Sequence, residues 1–348
     1  MNMLFLSSIF LLFALFIYLG CAYLPGERWQ MLAIIPYKKR EDASWEGINL
    51  TYYGFLVATA SIFALLLSLI LLKAAGAFLP GVLAVVGLLF ALCIPAARFM
   101  ARIVEKKQYT FTIGGAFFCG LLATPVIVML VNQVLVKTGH PALHMSVLLA
   151  AVSIGYILGE GLGRLGCVSF GCCYGKPLKT CAPLTRKVYS HLSFIFTGTT
   201  KKAVYEGGLE GEKLIPVQAI TCILYTITAL ISTGCFLHQQ YSLAFVLALF
   251  VSQIWRIYSE TLRADFRGFG KISAYQKMSL ASIPIAVCLT LLPDAQTSAP
   301  DIGQGIAILK EPVPMIFLQV LWVILFFRFG KSMVTRSTLQ FDIVHKHI

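Results

Sequence analysis

The chain has 348 residues, of which 58% are hydrophobic and only 12% charged, and its mean hydropathy is +0.82. Ordinary soluble domains carry about 25% charged residues, so a water-soluble globule is excluded; so are collagen, disorder and a disulfide scaffold, given this apolar weight and only 10 cysteines. What remains is an all-α polytopic membrane protein, and its net charge of +13 fits either cytoplasmic loops under the positive-inside bias or a site for anionic ligands.

A helix needs about 20 mostly apolar residues to cross the hydrocarbon core. That ruler predicts nine transmembrane helices, near 3–23, 52–72, 79–97, 113–135, 142–162, 215–236, 241–258, 277–293 and 313–329. The runs are continuous and leucine-rich, without the alternation of barrel strands. The first, Met3 to Tyr23, has no Lys/Arg n-region and reads as an uncleaved anchor, although Leu19-Gly20-Cys21 faintly suggests a lipoprotein cleavage box. Residues 24–51 form a connecting segment carrying Lys38-Lys39-Arg40 and then Glu41-Asp42. Residues 163–214 are too long for a simple turn and are expected to fold as a small extramembrane arm. Segments after odd-numbered spans hold 23 of the 28 Lys and Arg, which by the positive-inside rule puts those segments in the cytoplasm. Because the basic residues sit in short blocks between apolar runs, no nucleic-acid partner is expected.

The most informative stretch runs from Gly159 to Pro177. Gly155, Gly159 and Gly163 recur every four residues, so they share one helix face and permit close approach of a neighbour. Gly166, Gly171 and Gly175 are expected to break the helix, and backbone N–H groups at such a glycine-rich exit can cradle a phosphate. Arg164 lies where the apolar run ends; its guanidinium forks onto phosphate oxygens, suiting an anionic lipid headgroup, or it snorkels from a helix end. Glu160 is placed to pair with Arg164 across one turn.

A second constellation, Arg256, Glu260, Arg263, Asp265 and Arg267, lies at and beyond the end of the seventh span. Arg256 and Glu260 are four apart and are expected to pair; an Arg at a span edge needs a partner or a polar cavity.

These segments resemble the prolipoprotein diacylglyceryl transferase family. Gly163-Arg164-Leu165-Gly166 followed by Gly171-Cys172-Cys173-Tyr174-Gly175 resembles its signature in a cysteine-bearing form. Arg256-Ile-Tyr-Ser-Glu260-x-x-Arg263-x-Asp265, with Ser273-x-x-Gln276-x-x-Ser279, resembles its late Arg-x-x-x-Glu segment. Weaker matches are Tyr53-Gly54, the run Gly114 to Gly120, and Pro216-Val217-Gln218, in an order that agrees with the family from about residue 50 to 293. Against well-studied members, Cys167 stands where they have Asn, Cys172 where they have Glu, and Cys119 where a histidine often proposed as catalytic would be; Glu160 is a candidate replacement for the acidic position lost at Cys172.

The resemblance implies a seven-helix core over 51–293 containing the arm, with an added span and connecting segment over 1–50 and an added span and basic tail over 294–348. It further implies transfer of a diacylglyceryl group from phosphatidylglycerol to the lipobox cysteine thiol of prolipoproteins in the bacterial cytoplasmic membrane, without a cofactor. Two alternatives stay open, the same phospholipid chemistry with another acceptor and a non-catalytic transporter or scaffold. Under the resemblance Arg164, Arg256 and Glu260 are the catalytic candidates, with Glu260 orienting Arg256, and Tyr53, Gly163, Gly166, Cys167, Cys172, Tyr174, Gln218 and Arg263 contact the lipid headgroup. The family's signature faces the periplasm, whereas the charge count puts the arm in the cytoplasm. Cys167, Cys172, Cys173 and Cys181 fall within 15 residues, but their spacing matches no common zinc pattern, and reduced packing residues are expected rather than a disulfide or a metal.

Overall fold

Leucine-rich segments that meet no water must satisfy their backbone internally, which in lipid selects helices. In the computed structural model, which describes residues 1–105, 113–265, 272–292 and 299–348, eight helices are long and apolar enough to cross a membrane. They are α1 (Asn2–Tyr23), α2 (Tyr52–Ala74), α3 (Leu79–Glu105), α4 (Ile113–Lys137), α5 (Met145–Phe170), α8 (Val217–Leu237), α9 (Tyr241–Thr261) and α12 (Pro312–Gly330). The eighth predicted run instead forms α10 (Ala274–Thr290), 17 residues with Pro284 inside, packed on α9 and α4. At about 25 Å it is shorter than the others, so among the described residues eight of the nine expected runs form helices of spanning length. The all-α membrane class stands.

The central helix is α5, the most buried of the eight, with α2 on one side and α8 and α9 on the other. Small residues let α2 approach: a Cβ on Gly155 would lie 2.0 Å from Ser68 Oγ, and one on Gly159 would lie 2.8 Å from the Ala64 Cβ. Gly163, expected on that same close face, has no atom within 4 Å of such a position and faces open space. The predicted arm also starts later than expected. The helix runs unbroken through Gly166, where a Cβ would lie 3.1 Å from the Tyr53 carbonyl oxygen, and ends at Gly171, whose φ of 72° gives the left-handed cap that glycine adopts most easily.

Beyond Gly171 the arm holds α6 (Pro183–Tyr189), α7 (Lys202–Tyr205) and a two-stranded ribbon of β3 (Phe194–Ile195) and β4 (Lys213–Leu214) around Phe196, Ala203 and Leu214. Lys201 fastens it to the bundle. Fully buried, its Nζ donates to the Leu24 carbonyl (3.0 Å) and the Ser169 carbonyl (2.6 Å), joining the ends of α1 and α5. Burial pulls its pKa from 10.5 down to about 8, with Glu27 opposing the shift. The folded arm therefore holds this proton less tightly than the unfolded chain. The penalty is fully present below pH 8 and is relieved as pH rises through the window from about 8 to 10.5. Resistance of the arm to limited proteolysis is expected to increase across that window, and Lys201→Met is expected to abolish the increase; a wild-type profile no steeper than that of the variant would contradict the assignment.

At the same end of the bundle lies a sheet that the sequence did not announce. Strands β1 (Met31–Lys39), β2 (Trp45–Thr51) and β5 (Lys331–Leu339) pair antiparallel in the order β1-β2-β5. The first two come from the segment read as a connection and the third from the basic tail. Asn49, buried in β2, donates to Thr335 Oγ1 (3.0 Å) and accepts from Ser337 Oγ (2.6 Å) across the β2–β5 pair.

The last span, which follows the short helix α11 (Ile302–Ile306), lies directly against α2. Thr51 Oγ1 caps α2 by accepting from the Gly54 N–H and donates to the Gly330 carbonyl at 3.0 Å. A Cβ on Gly54 would sit 2.1 Å from the Gly330 Cα. Farther along, Trp322 Nε1 donates to Thr59 Oγ1 (3.1 Å) and its ring packs edge-on against Phe55. Gly54→Val meets backbone rather than a flexible side chain and is expected to cost about 3 kcal/mol or more, read as a lowered thermal midpoint of the detergent-solubilised protein.

Candidate active site

Helix periodicity puts Tyr156, Glu160 and Arg164 on one stripe of α5, and α9 brings Arg256 to meet them. The Glu160 side chain is 1% exposed. Its carboxylate accepts from Arg164 Nη2 at 2.8 Å, from Arg256 Nη2 at 2.6 and 2.5 Å, and from the Tyr156 hydroxyl. Tyr156 also accepts from Arg256 Nη2 at 2.9 Å, and Phe117 of α4 stacks on its ring with centroids 4.5 Å apart. A Cβ on Gly114 would lie 2.9 Å from Arg256 Nη1, so glycine there makes room for the guanidinium.

Two guanidiniums on one carboxylate leave this network with one surplus positive charge, which falls on the partly buried Arg164: its Nη1 has the Cys173 sulfur 3.7 Å away and its Nε is buried with no partner. An unneutralised cation in a low-dielectric setting is costly unless an anion completes it. The group is thus built to receive one.

Glu260, expected to orient Arg256, does something else. Its carboxylate accepts from Ser273 Oγ at 2.5 Å, while Ser273 caps α10 in a reciprocal capping box with Gln276, whose side chain also donates to the Ile257 carbonyl at 3.1 Å. The Ser273-x-x-Gln276 pattern therefore joins α9 to α10. Arg256 pairs with Glu160 rather than with its neighbour four residues on, because the carboxylate across the helix interface satisfies it within the buried space.

The end of α5 gathers sulfur. The Cys172 N–H bonds back to the Cys167 carbonyl (3.1 Å) around the Gly171 cap, and Cys173 itself has φ 57°, unusual for a side-chain-bearing residue. The turn brings the Cys167, Cys172 and Cys173 sulfurs within 4.8 Å of one another. Arg164 Nη1 lies 3.7 Å from Cys173 Sγ. Hydrogen bonds from the Cys167 and Cys172 thiols, with Arg263 and Arg164 close by, hold the Cys173 thiol well below the usual thiol range. The same coupling pushes Cys172 up. Cys181 stands apart, its Sγ directed to the Pro177 carbonyl at 3.4 Å.

The other expected site residues take varied places. Gln218, 1% exposed in the first turn of α8, donates Nε2 to the Cys172 carbonyl (2.8 Å), and its Oε1 is buried without a partner. Tyr53 packs its ring on Phe170 and lies beside the three thiols and Arg164. Arg263 forks onto both oxygens of Asp265 at 2.7 Å, and its backbone bridges to Gly175. Tyr174 accepts from the Ala264 N–H (3.1 Å) and is 3% exposed, a buried seam between the signature exit and the segment after α9. Cys119 sits on α4, where the adjacent Gly120 abuts Cys93 of α3. Arg267 lies outside the described residues.

Tyr156 was not singled out from the sequence, and Gly114 entered only as the start of the Gly114 to Gly120 match. Tyr156 carried a usable signal, since it stands four residues before Glu160, as Arg164 stands four after it. The match at Gly114 did not say what the glycine is for; the folded position of Arg256 gives it that role.

The sequence model of the prolipoprotein diacylglyceryl transferase family matches residues 43–292, about 70% of the chain. That interval contains the arginine network, the thiol cluster and the arm. No curated protein matches the chain.

Proposed function

Because the chain belongs to the prolipoprotein diacylglyceryl transferase family, and is therefore a membrane transferase of lipoprotein biosynthesis, we propose that it takes the diacylglyceryl group from phosphatidylglycerol and places it on the lipobox cysteine thiol of prolipoproteins. The observation that carries this reading is the surplus charge of the Arg164–Glu160–Arg256 network. A phosphodiester headgroup supplies the missing anion. On departure it becomes glycerol phosphate with greater negative charge, so preorganised guanidiniums favour the departing state over the bound lipid. Glu160 and Tyr156 fix the two arginines in position. The open space at Gly163 leaves room beside Arg164 for the headgroup, and Tyr53 is placed to contact it.

Purified protein given phosphatidylglycerol and a lipobox peptide is expected to release glycerol phosphate and to add the mass of diacylglycerol to the peptide thiol. Turnover no greater than that of Arg256→Ala would overturn the reading.

The proposal places the arm on the periplasmic side of a bacterial inner membrane, where prolipoproteins emerge. Positive charge at this end argues for the opposite side, but part of it is engaged within the protein: Arg164 shares Glu160 with Arg256, Arg263 forks onto Asp265, and Lys201 donates to two carbonyls. Basic groups so engaged report topology poorly. A phosphatase fusion at residue 190 is expected to be active outside the cytoplasm, and a fusion active only as a cytoplasmic reporter would exclude prolipoproteins as acceptors.

A further inference from the structure

The transferase reading assigns the phosphate to arginines but leaves the acceptor thiol without a group to take its proton. Glu160 is held by two guanidiniums and a tyrosine hydroxyl, and a carboxylate so engaged is a poor base. Glu260 is engaged with Ser273. Immediately beside Arg164 stand three sulfurs from one turn of chain, and among the described residues no His, Asp or Glu joins them.

We infer that Cys167, Cys172 and Cys173 form a three-thiolate zinc site whose fourth position receives the acceptor thiol. With Zn–S bonds of about 2.3 Å, ligand sulfurs in a tetrahedral site lie about 3.8 Å apart. The three sulfurs already lie within 4.8 Å of each other, so rotation about side-chain bonds suffices to close them on an ion. Two features of the chain produce the cluster. The left-handed cap at Gly171 returns Cys172 to the level of Cys167, and the positive φ of Cys173 brings its sulfur to the same side as that of its neighbour. That second feature is how two adjacent cysteines, in a spacing that matches no common zinc pattern, can both face one ion. Backbone strain of this kind, about 1–3 kcal/mol at a residue other than glycine, persists where surrounding structure requires it.

Charge and coordination number agree. Three thiolates and one divalent ion carry a net charge of −1, and Arg164 and Arg263 both lie close to Cys173. Three protein ligands with an open fourth position is the arrangement of catalytic rather than structural zinc, and a thiol that coordinates such an ion is deprotonated outright. In the step this allows, the incoming thiol displaces zinc-bound water and gives its proton to solvent. Its sulfur then attacks the glycerol carbon esterified to phosphate; the S–C bond forms as the C–O bond breaks, and glycerol phosphate leaves with that electron pair onto the arginines. The 3.7 Å separation of Arg164 Nη1 and Cys173 Sγ puts a zinc ligand beside the arginine that holds the leaving phosphate.

The inference rests on the transferase reading for the identity of the acceptor, and the test separates the two. The full chain, purified in detergent without chelator, is expected to carry one equivalent of zinc, lost in Cys172→Ser and Cys173→Ser and retained in Cys181→Ser. Because the first two variants can fail to fold, the wild type provides a second measurement: zinc removed by chelator is replaced with cobalt(II), which is expected to give thiolate charge-transfer absorption. A lipobox peptide is expected to shift that spectrum, and the same peptide with Ser for Cys is not. A shift without lipid transfer would sink the phosphatidylglycerol reading and uphold the metal site. A wild type that binds neither zinc nor cobalt with its thiols reduced, a Cys167–Cys172 disulfide in the protein as isolated, or a cobalt spectrum indifferent to the peptide thiol would each overturn the inference.

Discussion

Glu160→Ala is expected to lower the stability of the folded protein by about 3–5 kcal/mol, the cost of leaving buried charge uncompensated. Glu160 is the shared carboxylate for Arg164 and Arg256, whose side chains are 18% and 10% exposed. Without it two guanidiniums face each other across the α5–α9 interface with no intervening anion. Glu160→Gln keeps the shape and an acceptor oxygen but removes the charge, and its loss is expected to be smaller. Pairing Glu160→Ala with Arg256→Met is expected to recover part of the stability, because the more buried of the two arginines leaves with its counterion. Thermal unfolding in one detergent, followed by tryptophan fluorescence, provides the comparison. A Glu160→Ala protein as stable as wild type would mean that the network does not hold the two helices together.

Arg256→Ala is expected to reduce turnover about 10²–10³-fold, the size of effect seen when one preorganised donor to developing negative charge is removed. The loss should fall on kcat as well as on KM, because charge on the phosphate grows as glycerol phosphate departs. Arg256→Lys is expected to recover little. One Arg256 Nη2 contacts both Glu160 and Tyr156 while Nη1 faces Gly114, and an ammonium cannot span those directions. Glu260→Gln provides the contrast. Its carboxylate serves a serine at the start of α10, so turnover near wild type is expected, whereas a loss matching that of Arg256→Ala would restore Glu260 to the reaction.

The parts of this molecule that were legible in the sequence are those written locally. Continuous apolar runs give away the spans, since one helix in lipid satisfies its own backbone without reference to any other segment. The Gly155/Gly159 face could be read because small residues four apart have one geometric meaning on a helix. Arg164 and Arg256 stood out because a cation at the edge of a span requires a partner. Which partner was a different matter. Spacing favoured Glu260 for Arg256, and the carboxylate that holds it comes from 96 positions away, a relation no periodicity encodes. The sheet escaped notice for the same reason: β1 is a mostly exposed edge strand with Pro36 inside it, and β2 finds its other neighbour in β5 near the far end of the chain. The thiol cluster was visible as composition, but its meaning depended on a left-handed cap and one positive φ that the spacing does not display.

That sheet also has a bearing on biogenesis. β2 passes into the membrane with the second span, yet its partner β5 is made about 280 residues later. At about 5–20 residues per second of synthesis, the interval is on the order of 15–60 s. During it the β2 edge has only β1 for company, Gly54 lacks the glycine it packs against, and α2 presents bare surface to lipid where α12 will lie. Insertion of the first spans and completion of the fold are therefore separate events in time, and a ribosome stalled before residue 330 would leave in the membrane a nascent bundle with most of its active-site residues in place and its outermost seam still unsewn.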